Sequence, residues 1–168
     1  MKVYYAEKLD GAPPWLHESK AKGVQQKGLL FERRVGTFFT GLFPGRVECG
    51  PWFKYGKYRR KQAWCQPDIL VWLSPADLLV LECKLTATKS AKKQLLSLYK
   101  PVLQTVYPDT TIRCVQVCNN LKRSNSKDNF NLMELQDIFD ASPTWDAATV
   151  QLKRLSRSNL DLKLWNAD

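Results

Sequence analysis

Pro67-Asp68-Ile69-Leu70-Val71-Trp72-Leu73-Ser74-Pro75-Ala76-Asp77-Leu78-Leu79-Val80-Leu81-Glu82-Cys83-Lys84-Leu85 is the stretch on which the fold turns. Two runs rich in Leu, Val, Ile and Trp flank Ser74-Pro75-Ala76-Asp77, a proline-containing turn tetrad. The spacing predicts a strand over 63–73, a turn over 74–77 and a strand over 78–85, together a hairpin. Side chains alternate faces along a strand, so Glu82 and Lys84 share one face and Cys83 joins Leu81 and Leu85 on the other. If the hairpin closes through the 74–77 turn, Asp68 falls beside Glu82. Two carboxylates and a lysine then meet near a strand end. Charges at the end of so apolar a run are costly unless they pair or bind a metal. A plain Glu82–Lys84 ion pair satisfies that condition as well as a metal site does.

Upstream, residues 27–42 place Leu30, Phe31, Val35, Phe38 and Phe39 at helical spacing, with Gly41, Pro44 and Gly45 ending the helix. Residues 46–53 read as a first strand and 54–61 as a basic turn. Residues 1–26 are polar, contain Pro13 and Pro14, and read as an irregular arm. Downstream, Leu95, Leu98, Val102, Leu103 and Val106 give 90–106 a helical pattern that Pro101 kinks or divides. A fourth strand follows over 111–118, a polar loop over 119–129 and a short helix over 131–140. Residues 144–168 fit a helix or a strand. The expected architecture is α/β, a mixed central sheet flanked by helices in the order αβββαβ. It forms one domain with an arm (1–26), a catalytic core (27–118) and a C-terminal extension (119–168).

The 168 residues make one ordinary domain with 44% hydrophobic residues and a net charge of +10. The charge is uneven: residues 1–61 hold 13 Lys and Arg against 5 acids. Such a surface favours polyanions. Five cysteines, at 49, 65, 83, 114 and 118, lie in apolar stretches without zinc-site spacing. They read as small buried hydrophobes in a reducing, intracellular compartment, cytoplasmic or nucleoid-associated. No apolar run is long enough for a membrane span, and the first ten residues lack a secretory signal's apolar core.

Asp68, Glu82 and Lys84 suit phosphodiester hydrolysis. Carboxylates hold Mg²⁺ or Mn²⁺, with the Cys83 carbonyl as a further oxygen ligand, and a lysine orients water or neutralises developing charge. Lys54, Tyr55, Lys57, Tyr58, Arg59, Arg60 and Lys61 interleave cations with aromatics, a pattern for phosphate contacts and base stacking. The same segment also fits an ordinary solvated turn. Lys122, Arg123 and Lys127 offer a second basic contact. His17, the one histidine, lies in the polar arm and receives no role.

Pro67-Asp68 with Glu82-Cys83-Lys84 resembles the PD-(D/E)xK nuclease superfamily, which includes restriction endonucleases, phage exonucleases and Holliday-junction resolvases. The resemblance covers residues 27–118, about 90 of the 168, on few identities. It implies a restriction-endonuclease-like fold, Mg²⁺ or Mn²⁺, and DNA rather than RNA as substrate. A two-fold symmetric substrate would suit a homodimer. It also implies a further metal-binding acid on the first core helix, where Glu32 stands; a solvated charge paired with a neighbouring Arg explains Glu32 equally well. Early on the helix after the third strand it implies a catalytic Gln or Lys, matched by Gln94 with Lys89, Lys92 and Lys93 nearby. Some exonuclease branches show Gln-x3-Tyr there; this chain departs, with Tyr99 five residues after Gln94. The rival reading is a non-catalytic nucleic-acid-binding module derived from such a fold.

Overall fold

In the computed structural model, residues 1–16, 22–58, 61–121, 131–140 and 144–155 are described. The elements are β1 (Tyr5–Leu9), α1 (Val24–Leu42), β2 (Val47–Cys49), β3 (Trp52–Tyr58), β4 (Lys61–Cys65), β5 (Ile69–Ser74), β6 (Asp77–Thr86), α2 (Lys89–Gln94), a π turn (Leu95–Tyr99), α3 (Lys100–Val106), β7 (Thr111–Asn120), α4 (Leu135–Asp140) and β8 (Ala148–Gln151). They build a mixed α/β fold with two sheets. The larger has the order β2-β5-β6-β7-β8, antiparallel through β6 and parallel from β6 to β8. The smaller is antiparallel, in the order β1-β3-β4. None of the described helices is long and apolar enough to cross a membrane.

The 74–77 turn closes the β5–β6 hairpin, with Ser74 opposite Asp77 and Ile69 opposite Leu81. Burial on both faces explains the uninterrupted apolar run of β6. Leu79 and Leu81 pack with Phe31, Val35 and Phe39 of α1. Leu78 and Val80 pack with Leu95, Tyr99, Val102 and Leu103 on the opposite side. Gly36 lets α1 approach the sheet: a Cβ there would lie 2.9 Å from Cys49 Sγ.

Four expectations need correction. The single strand expected over 46–53 is two strands in different sheets. They part at Gly50-Pro51, where Gly50 has φ +61° and the proline lacks a ladder N–H. The strand expected over 63–73 divides likewise, at Gln66-Pro67-Asp68. The basic segment expected as a turn is mostly strand, since 54–58 continue β3 between β1 and β4. The arm is not irregular throughout: Tyr5–Leu9 pairs with β3. Its strand character was hidden because the partner lies some 45 residues away.

The helical region 89–106 remains continuous at Pro101 through the π turn before it, in which the Lys100 N–H donates to the Leu95 carbonyl. Residues 144–155, open between helix and strand by sequence, supply β8, parallel to β7. Leu135, Ile138, Phe139, Ala148 and Val150 enter the same core as α1, so α4 and β8 are integral to the fold. Cys65, Cys114 and Cys118 are buried as expected and Cys83 is partly so, whereas Cys49 is exposed.

Candidate active site

The hairpin register delivers the site. Ile69 faces Leu81, so the next step outward sets Asp68 against Glu82. Asp68 ends the link from β4, and its Oδ2 accepts the Cys83 N–H at 2.6 Å. Its own carbonyl accepts the Gly50 N–H at 2.8 Å, tying the carboxylate to the end of β2. Burial pushes the Asp68 pKa up, against the opposing pull of the Cys83 N–H and Lys84.

Glu82 is 1% exposed. Its Oε1 pairs with Lys84 Nζ at 2.5 Å, and its Oε2 is buried without a hydrogen-bond partner. Burial, and then the charge of Asp68, push it up to about 7, although Lys84 and the nearby Tyr99 hydroxyl favour its ionised form. For Lys84, burial works against the charge, but the bond to Glu82 and the charges of Glu82 and Asp68 outweigh it, so the pKa rises and the ammonium stays protonated. The shared face expected for Glu82 and Lys84 is therefore present, and Cys83 packs against the core beside α1.

Glu32, on α1, is half-buried. Burial first, then the charges of Asp68 and Glu82, push it up to about 7, while Arg33 has a smaller, opposing influence. Glu32 is thus within electrostatic reach of Asp68 and Glu82. Among the described residues, no three His, Cys, Asp or Glu side chains form a ready-made metal cluster. The three carboxylates lie within electrostatic reach of one another.

Gln94 lies at the end of α2, and its Nε2 donates to the Tyr99 hydroxyl. That hydroxyl donates in turn to the Gln66 carbonyl at 3.0 Å, next to Pro67-Asp68. The π turn explains why Tyr99 is five residues on. A turn bonded i to i+5 brings residues five apart onto one face, as an α-helix does for residues four apart.

The expected nucleic-acid contacts fare unevenly. Tyr55 is only 4% exposed and packs in the core with Phe53 and Leu95, so it cannot stack on a base. Strand alternation turns it inward, a consequence that a segment read as a turn does not reveal. Lys54 faces outward and pairs with Glu7 at 3.2 Å. Lys57 and Tyr58 extend β3 in backbone, and Lys61 opens β4 exposed. Lys89 and Lys93 are exposed on α2 and Lys92 is partly buried. Arg59, Arg60, His17, Lys122, Arg123 and Lys127 lie outside the described residues. Trp15, missed by sequence, is 57% exposed and stacks edge-on against Trp64, with ring centroids 4.6 Å apart. Glu48 stands apart from the site, held by Lys8 and by Trp72 Nε1.

Sequence reading also missed Gln116 and Thr149, both fully buried. Gln116 had a legible signal, a lone polar residue within Cys114-Val115-Gln116-Val117-Cys118.

Comparison with protein-family models and with curated proteins finds no match. Among solved structures, the chain is similar to protein VC1899 from Vibrio cholerae, with 13% identity and a TM-score of 0.44. The match covers 79% of this chain and 31% of that one; it is too distant to bear on the fold or the site.

Proposed function

We propose that this chain is a metal-dependent nuclease with a restriction-endonuclease-like core, hydrolysing nucleic-acid phosphodiester bonds, with DNA favoured over RNA. The observation that carries the reading is the convergence of Asp68, Glu82 and Lys84 at one end of the β5–β6 hairpin, with Glu32 of α1 within electrostatic reach. With the β3–β4 hairpin set aside, the order α1, β2, β5, β6, α2–α3, β7 matches the αβββαβ arrangement implied by the PD-(D/E)xK resemblance.

The donor set fits a hard divalent cation. Asp68 and Glu82 raise the pKa of Glu32, Asp68 raises that of Glu82, and one oxygen of Glu82 is buried without a partner. A cation relieves both conditions. Asp68, Glu82 and the Cys83 carbonyl would hold Mg²⁺ or Mn²⁺, with Glu32 as a further ligand. When bound, such an ion polarises the phosphate and lowers the pKa of water.

The chain's own residues do the remaining work. Lys84, kept protonated beside Glu82, offers N–H donors to a phosphoryl oxygen or to the attacking water. The Cys83 N–H fixes the orientation of the Asp68 carboxylate. Tyr99 and Gln94 fasten the end of α2 and the π turn to the Asp68 segment. Lys89, Lys92 and Lys93, one turn away, bring positive charge to the same end of the helix for the phosphate backbone.

The test is a panel of linear, single-stranded, flap and four-way-junction DNAs incubated with Mg²⁺, Mn²⁺ or Ca²⁺. The wild type is expected to cleave with Mg²⁺ or Mn²⁺ and to bind without efficient cleavage in Ca²⁺. Asp68→Asn and Glu82→Gln are expected to lose cleavage and keep binding. Lys84→Ala is expected to lose on the order of 10²–10³-fold in rate and to retain metal affinity by calorimetry. Binding without cleavage under every condition would favour the non-catalytic module.

A further inference from the structure

The strand register places a row of polar side chains across the otherwise apolar sheet. Glu82 of β6 pairs with Gln116 of β7, and Gln116 pairs with Thr149 of β8. Asp68 stands one step beyond the β5–β6 ladder, on the far side of Glu82. Residues paired in register project to the same face. The neighbours agree: Val115, Val117, Ala148 and Val150 serve the α1 side of the core, leaving Gln116 and Thr149 on the side of Glu82.

All three members on β6, β7 and β8 are buried to within 1%. Each leaves one polar atom without a protein partner: Glu82 Oε2, Gln116 Nε2 and Thr149 Oγ1. Buried polar groups are seldom left so, and three in one register row share a cause. The donors and acceptors match in number. A carboxamide has two N–H donors, and Gln116 has an acceptor on each side, the Glu82 carboxylate and the Thr149 hydroxyl. Its Oε1 is already engaged, accepting the Thr88 N–H at 3.0 Å. Thr88 is the N-cap of α2, its hydroxyl accepting the Ala91 N–H at 3.3 Å. Gln116 thus joins the helix that carries Lys89 and Gln94 to the strand row that carries Glu82.

We infer that Gln116 is a positioning residue of the site: its amino group supports the Glu82 carboxylate through an ordered water, while its carbonyl oxygen anchors the start of α2. A carboxylate oxygen has more than one lone pair, so Glu82 Oε2 can accept from that water on one side and face a cation on the other. Thr149, paired with Gln116 in register, offers an acceptor for the second N–H. This inference rests on the reading of Asp68 and Glu82 as cation ligands. Partners behind a ligating carboxylate typically govern metal affinity by about 10–100-fold.

The experiment compares the wild type, Gln116→Met and Gln116→Asn by calorimetric titration with Mn²⁺. DNA affinity in chelator, circular dichroism and melting temperature are measured alongside. Gln116→Met keeps the volume and removes the polar atoms. Gln116→Asn keeps a carboxamide but withdraws it by one methylene, and serves if the first variant does not fold. The Mn²⁺ dissociation constant is expected to rise on the order of 10-fold or more in a folded variant, with metal-free DNA affinity within about twofold, because the surface cations are untouched. A residue that merely tied Thr88 to β7 would lower the melting temperature and leave Mn²⁺ affinity unchanged; that result overturns the inference and spares the nuclease reading. Absence of Mn²⁺ binding by the wild type overturns both.

Discussion

Among single residues, Glu82 concentrates the conflict on which the site is built. It is enclosed by apolar neighbours, beside a second carboxylate, with one lysine to offset the charge. Burial and neighbouring negative charge lift both Glu32 and Glu82 from an ordinary 4.5 up to about 7, and burial lifts Asp68 as well. The folded protein therefore retains protons that the unfolded chain releases above about 4.5. In metal-free protein the contribution of these groups to stability is fully present below that pH and is lost as pH rises to about 7. Asp68→Asn removes one of the mutually repelling charges while leaving an oxygen to accept the Cys83 N–H. Denaturant midpoints in chelator, followed from acid to mildly alkaline pH, are expected to fall less with pH in the variant. At about pH 8, above the raised pKa values of Glu32 and Glu82, the variant is expected to exceed the wild type by roughly 0.5–2 kcal/mol, the usual scale of a single stabilising substitution. A variant less stable than wild type under that condition would show that Asp68 serves chiefly to hold the fold.

Elements show where sequence patterns were sufficient and where they were not. The hairpin of β5 and β6 was legible because its strands are adjacent and its turn is short. The smaller sheet was not, since β1 gains its strand identity only from pairing with β3. In that sheet alternation sends Tyr55 inward and leaves Lys54 and Lys61 outward. Lys61, exposed at the start of β4, can be changed without disturbing the core. Replacing Lys57, Arg59, Arg60 and Lys61 together with Ala is expected to weaken DNA binding about equally for all sequences. The slope of log affinity against log salt should shrink by roughly 0.9 for each duplex phosphate the variant no longer neutralises. An unchanged slope would move the binding path to α2, with Lys89, Lys92 and Lys93.

For the whole molecule, the division expected from sequence, a core ending at 118 and an extension after it, gives way to shared packing. Leu135, Ile138 and Phe139 of α4 and Ala148 and Val150 of β8 complete the layer that holds α1 against β5–β7. Large apolar side chains in such positions contribute about 1.5–3 kcal/mol each. The three from α4 together are comparable with the total stability of a typical domain, about 5–15 kcal/mol. A chain ending at residue 121 is accordingly expected to be unfolded or aggregated by circular dichroism and size exclusion. A folded, monomeric truncation would restore the extension to accessory status. Such packing also seats Thr149 beside Gln116, so loss of β8 would remove one end of the buried polar row.

The features that local patterning controls are legible in the chain. The apolar runs on either side of Ser74-Pro75-Ala76-Asp77 specified a hairpin, and that hairpin's register carried Asp68, Glu82 and Lys84 to one place. The helical spacing of Phe31, Val35 and Phe39 placed α1, and with it Glu32, against the sheet. The remaining features depend on long-range pairing, which leaves little trace in either partner segment. It made a strand of Tyr5–Leu9, divided 46–53 at Gly50-Pro51, drew β8 alongside β7, and aligned Gln116 with Glu82 across a parallel pair. The π turn belongs there too: the Gln94–Tyr99 spacing looks out of phase in an α-helix, and only the wider turn before Pro101 brings the two side chains together.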